Sequence, residues 1–109
     1  MSTRWYFVQR LTALLLAPLV LAHVILIIIA VRGGLSGAEI LARTQDSLSW
    51  GFFYGLFVIC VALHGGIGLR TILLEWTALS TKRATLLAHT LMLLLLFLGL
   101  RAVYAIVAA

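Results

Sequence analysis

The chain has 109 residues, 64% of them hydrophobic and only 10% charged, with a net charge of +5. A soluble domain is about one quarter charged, so composition excludes an ordinary water-soluble fold. The basic residues are spread between the ends of apolar runs and form no patch, which excludes a nucleic-acid interface.

The first apolar run, Leu11–Val31, has 21 residues without a charge. A spanning helix needs about 20 mostly apolar residues to cross a hydrocarbon core about 30 Å thick. Inside that core every backbone polar group must be paired within its own segment, so the run is predicted to be a helix. Arg4 and Arg10 precede it, as in a signal peptide. The stretch is too long for a typical signal core and no A-x-A site follows, so it is read as an uncleaved first helix. Pro18 is tolerated in such a helix and predicts a mild bend. At about 100° per residue, Gln9, Thr12 and His23 share one face, with Leu16 and Leu19 in the same stripe. A polar residue at each depth of one face predicts a buried face that meets something polar or flat. His23 lies roughly 20 Å from Arg10 at 1.5 Å per residue, past the bilayer midplane.

A linker, Arg32–Asp46, holds Gly33, Gly34 and Gly37. The second run, Ser47–Leu69, has 23 residues without a charge. Gly51 and Gly55 form a small-xxx-small pair, read as a packing face. Cys60 is the sole cysteine, which rules out an intrachain disulfide and is read as a small packing residue. The run closes on LHGGIGLR, in which His64 and Gly68 share a face and Gly65 borders them. Glycines beside a histidine leave room for a flat macrocycle or a close helix. Ionisable side chains inside a membrane mark function by default, and neutral imidazole is a common axial ligand of b-type haem. The other reading of His23 and His64 is a hydrogen bond to a carbonyl on a neighbouring helix. Spacing leaves both open. No C-x-x-C-H occurs, so covalent haem attachment is excluded.

After the turn Glu75–Arg83 comes Ala84–Leu100, 17 residues, which continues to the C-terminus if Arg101 snorkels to the interface. His89, near its start, is read as structural. Trp5, Trp50, Trp76, Tyr6 and Tyr104 fall near span ends, as an aromatic belt does. The predicted fold is all-α: one integral membrane domain, 1–109, with three transmembrane helices over about 11–31, 48–73 and 84–106 in an up-down-up bundle. One side of the membrane would hold Arg4, Arg10, Arg70, Lys82 and Arg83, and the other Arg32, Arg43 and Arg101. Five basic residues against three favour a cytoplasmic N-terminus. A small multi-span transporter or pore is an alternative class. A proton-coupled cation pump calls for an embedded carboxylate, and no Asp or Glu lies inside any of the three runs.

Two segments resemble a known family. Trp5–His23, WYFVQRLTALLLAPLVLAH, and His64–Trp76, HGGIGLRTILLEW, are similar to segments of the cytochrome b membrane-anchor subunits of succinate:quinone oxidoreductase, that is, succinate dehydrogenase and fumarate reductase. Members open the first span with a polar Q/R/S segment, then T-[GA], then an apolar helix. In members binding two haems a ligand histidine follows, at a spacing like that of Gln9 and His23. The second segment looks like the family's H-x3-G-[ILM]-R-x4-[DE]-[YF] pattern. His64 matches the haem-ligand histidine, Gly68 the glycine, Arg70 the arginine and Glu75 the acidic residue. Trp76 stands where many members have a tyrosine that donates to the quinone carbonyl; an indole N–H donates with a different shape.

The resemblance implies half of a haem-binding bundle in the cell inner membrane, without a catalytic centre of its own. It implies haem b, one or two, shared with a second anchor chain or a second copy of this one. The haem iron would be held by His64, with His23 as ligand of a second haem, and Gly68 and Arg70 would line the haem environment. Gln9, Arg10, Thr12 and Trp76 become quinone-site candidates. A flavoprotein and an iron–sulfur subunit would be the partners, and membrane lipids, cardiolipin among them, would meet Lys82 and Arg83. A haem-free structural anchor of the same complex is the remaining alternative.

Overall fold

A computed structural model describes residues 3–34 and 36–108. It contains four helices: α1 (Thr3–Arg32), α2 (Gly37–Thr44), α3 (Leu48–Trp76) and α4 (Thr81–Val107). α1, α3 and α4 are long and apolar enough to cross a membrane. At 1.5 Å per residue they run about 40–45 Å, close to the 47 Å long axis of the molecule. Each therefore exceeds the hydrocarbon core and extends into the headgroup layers. α1 continues through Pro18 without interruption.

The helix ends follow from local chemistry. Ser36, Ser47 and Ser80 cap α2, α3 and α4, their hydroxyls accepting from the N–H of Glu39, Trp50 and Arg83. Each satisfies one of the first-turn donors that a helix leaves unpaired. α1 ends at two glycines, and Gly34 takes the left-handed conformation (φ +98°) that commonly closes a helix.

α2 lies in the stretch expected to be a plain linker. Ser36 and Glu39 have capping-box spacing, and the short helix turns Ile40, Arg43 and Thr44 inward. Thr44 is fully buried, with its hydroxyl 2.7 Å from Ile106 O and 3.0 Å from Ile40 O. The Asp46 N–H donates to Val107 O at 2.8 Å, from a left-handed backbone position (φ 58°). The last carbonyls of a helix have no partner within it, so this connection caps the end of α4. Thr44→Val is expected to cost about 1–2 kcal/mol, the penalty for stranding a buried acceptor. Hydrogen exchange should speed up in the last turn of α4 and stay unchanged in the middle of α3.

α3 is the central helix and packs against both α1 and α4. Gln9 meets Gly68, Thr12 meets His64, and His23 meets Tyr54 and Phe57. On the other side Thr85 meets Arg70, Met92 meets Gly66, Gly99 meets Val58, and Val107 meets Gly51. Both pairings run antiparallel, so the bundle is up-down-up. Between lipid-immersed helices close packing replaces the hydrophobic drive. The α3–α4 seam accordingly buries Ala62, Gly66, Ala84 and Ala88. Of the pair Gly51 and Gly55, only Gly51 has a neighbour within 4 Å of an added Cβ, so the predicted packing face is half realised within this chain. Leu14, Ile29, Leu86, Leu93 and Phe97 are exposed on the outer faces of α1 and α4, a surface suited to acyl chains.

Candidate functional site

The polar stripe of α1 meets α3 along its length. Thr12 is 4% exposed. Its hydroxyl oxygen lies 2.9 Å from Val8 O, 3.0 Å from Gln9 O and 3.3 Å from Nδ1 of His64. A threonine has one proton to donate and two lone pairs to offer. His64 is half-buried. No described hydrogen bond engages its Nε2, and that atom is not among the fully enclosed unpaired ones. Gln9 lies over the same end of α3. Its Nε2 is 3.4 Å from where a Cβ on Gly68 would sit, and its Oε1 is buried without a partner. Gly68 thus leaves the space that Gln9 occupies beside His64.

Farther along α1, the ring of His23 makes edge contacts with Phe57 (5.1 Å) and Tyr54 (6.2 Å). Its Nδ1 is buried and unpaired. His23 lines a cavity of about 270 Å³ together with Leu26, Ala30, Ile40, Arg43 and Ile106. The Nε of Arg43 is also buried without a partner, and its guanidinium lies 4.9 Å above the Trp50 ring. Two residues with an enclosed, unpaired nitrogen therefore line one apolar cavity. Buried polar groups are seldom left unpaired, which sets His23 and Arg43 apart from the apolar residues around them.

The remaining sequence candidates do not converge on one place. Arg70 is six residues from His64, roughly 120° away around the helix. Its Nε donates to the Thr85 hydroxyl on α4 at 2.9 Å. It lines a separate cavity of about 430 Å³ with Trp5, Gly66, His89 and Met92. Trp5, Arg70 and His89, read from sequence as unrelated, are thereby gathered between α1, α3 and α4. Arg10 is exposed and reaches back one turn to Tyr6, with its guanidinium 5.8 Å above that ring. Trp76, the last residue of α3, is 81% exposed. Thr12 faces His64 with Gln9 beside it, while Arg10 and Trp76 lie elsewhere, so the four quinone-site candidates do not share one surface.

Sequence reasoning passed over Arg43, Tyr54 and Thr85. Only Arg43 had a local signal, because a basic residue in the last turn of a capped amphipathic segment is a recognisable helix end. No group of three or more His, Cys, Asp or Glu able to hold a metal ion occurs among the described residues. The three histidines therefore form no such group.

Residues 1–100 match the family described as succinate dehydrogenase/fumarate reductase transmembrane subunit. The chain belongs to this family. Neither a curated protein nor a solved structure matches it. The family match takes in α1, α2, α3 and α4 as far as Leu100. A transmembrane subunit of succinate dehydrogenase/fumarate reductase accounts for three spans with polar residues on their inner faces. The transporter or pore alternative is set aside by that membership.

Proposed function

We propose that this transmembrane subunit is the cytochrome b anchor of a succinate:quinone oxidoreductase, a single domain that holds haem b together with a partner chain. The observation that carries the reading is the state of His64. One ring nitrogen is tied to α1, and the other has no described hydrogen bond and is not fully enclosed. A neutral imidazole in that state has the donor a haem iron takes. Haem, when bound, supplies a one-electron carrier in the membrane. A second anchor chain, or a second copy of this one, would supply the other residue that holds the group.

His23 is the proposed ligand of a second haem nearer the outside. The cavity that His23 lines together with Arg43 supports that role. Thr12, at the level of His64, is 11 residues from His23, so the two sites are separated by about 16 Å along α1. Gly68 acts through the space it leaves for Gln9. Arg70 takes the α4 side, where its charge is available to a carboxylate or a lipid phosphate. Gln9, Arg10 and Trp76 lie at the proposed cytoplasmic end of the chain on separate surfaces, so a quinone site that uses any of them would be completed by the partners. An exposed arginine there stabilises negative charge on a reduced quinone oxygen. The chain sits in the inner membrane with its N-terminus in the cytoplasm, beneath a flavoprotein and an iron–sulfur subunit.

The test is purification of the complex through this chain in mild detergent. A flavoprotein, an iron–sulfur subunit and a second anchor polypeptide are expected to co-purify, with the absorption of a bis-imidazole b-type haem. A complex that carries flavin and iron–sulfur clusters but no haem would replace this reading with that of a haem-free structural anchor.

A further inference from the structure

The contact between Thr12 and His64 joins residues 52 positions apart, on two different helices, at 3.3 Å. Thr12 is also within 3.0 Å of two carbonyl oxygens of its own helix. Neither carbonyl can donate, so an Oγ this close to both is stable only if its own proton points at one of them. The hydroxyl proton is thereby committed to the backbone, and the side of Oγ that faces His64 is a lone pair. A nitrogen at hydrogen-bond distance from a lone pair must be the donor. Nδ1 of His64 therefore carries the ring proton, and Nε2 carries the free electron pair.

We infer that Thr12 is a positioning residue for His64, holding the ring in the Nδ1–H tautomer with Nε2 presented outward as a ligand. This rests on the haem-ligand reading of His64 and moves Thr12 from the quinone site to the support of that ligand. The arrangement is a built one. Thr12 is 4% exposed, so no water competes for its oxygen. The helical back-bonds fix its rotamer, and the Gln9 side chain covers the neighbouring surface of α3 over Gly68. A hydrogen-bond acceptor on the far nitrogen of a ligating imidazole fixes its orientation and raises its basicity. A more basic ligand favours the oxidised iron. Thr12 thus both aims His64 and holds the potential of its haem down.

The experiment compares Thr12→Val, Thr12→Ala, Thr12→Ser and His64→Ala in the purified complex. It reads haem per flavin, haem retention on dilution, and the midpoint potential and spectrum of the haem. Valine keeps the shape of threonine and removes the acceptor; serine keeps the acceptor and removes the methyl group. Thr12→Val and Thr12→Ala are expected to weaken haem retention by about tenfold or more, the usual effect of losing such a support. They should also shift the midpoint to higher potential, and Thr12→Ser should restore both properties. If His64→Ala removes haem while Thr12→Val leaves retention and potential at the wild-type values, the inference is overturned and the ligand reading stands. If His64→Ala keeps its haem unchanged, the ligand reading itself is lost. Equal damage from valine, alanine and serine, or failure of both apolar variants to assemble, would make Thr12 a packing residue and overturn the inference.

Discussion

His64→Ala is expected to lower haem per flavin in the purified complex by more than about tenfold for the site it serves, an effect at least as large as losing a residue that merely supports a metal ligand. On the proposed reading, deleting the imidazole would remove the nitrogen that this chain offers to the iron. Among the described residues no other histidine lies beside it, so nothing in the chain replaces it. The comparison with His23→Ala decides the stoichiometry. If the complex holds one haem, His64→Ala abolishes the b-type absorption and His23→Ala leaves it intact. If it holds two at different depths, each variant removes one, and the spectra of the two variants sum to that of the wild type. Flavin and iron–sulfur content of the same samples reports whether the complex has assembled. Full haem content in an assembled His64→Ala complex would end the ligand assignment.

The second large effect concerns the seam between α3 and α4. A Cβ added to Gly99 would stand 2.5 Å from Cγ1, 2.9 Å from Cγ2 and 3.2 Å from Cβ of Val58. Valine in a helix is held in essentially one χ1 rotamer, so both methyl groups stay where they are and the helices must separate. Overpacking of this kind costs about 1–3 kcal/mol, against a gain of at most about 1 kcal/mol from replacing a helical glycine by alanine. Gly99→Ala is therefore expected to destabilise the chain, and Gly99→Leu more so. Adding Val58→Ala to Gly99→Ala should recover most of the loss, which appears as a coupling energy in a double-mutant cycle. Gly66 offers a graded comparison. Its nearest obstacle is the terminal methyl of Met92, at 2.7 Å, the mobile end of an adaptable side chain. Gly66→Ala should cost less than Gly99→Ala, and Gly55→Ala, with open space around it, should leave the α3–α4 pair intact. Denaturation of the chain in detergent micelles, followed by helix content, measures each of these variants. A Gly99→Ala chain as stable as the wild type would show that the seam has slack that these distances do not allow.

Much of the architecture was legible because a bilayer imposes simple rules. Three apolar runs of sufficient length must be helices, and the short links between them force neighbouring helices to run antiparallel. The face of α1 carrying Gln9, Thr12 and His23 could also be placed by counting residues, since helical phase is a property of the chain alone. α2 was legible in principle, through the capping pair Ser36 and Glu39, but the surrounding glycines read as a linker. Its eight residues are too few for a span, and its stability comes from docking Thr44 against Ile106, 62 residues away.

The resemblance at His64–Trp76 reads as one cluster in sequence, and three dimensions take it apart. Arg70 turns to Thr85 on α4, His64 turns to Thr12 on α1, and Trp76 remains exposed at the helix end. Phase says which residues share a face of a helix, but it says nothing about what that face meets. Which of two glycines packs, which polar residue of α1 shares a cavity with Arg43, and which ring nitrogen of His64 is committed all depend on the neighbour. Those outcomes were decided when the helices docked, because inter-helix contacts are set by the fit of side chains distant in sequence. The sequence by itself determined three helices that cross a membrane and the polar face that one of them turns inward.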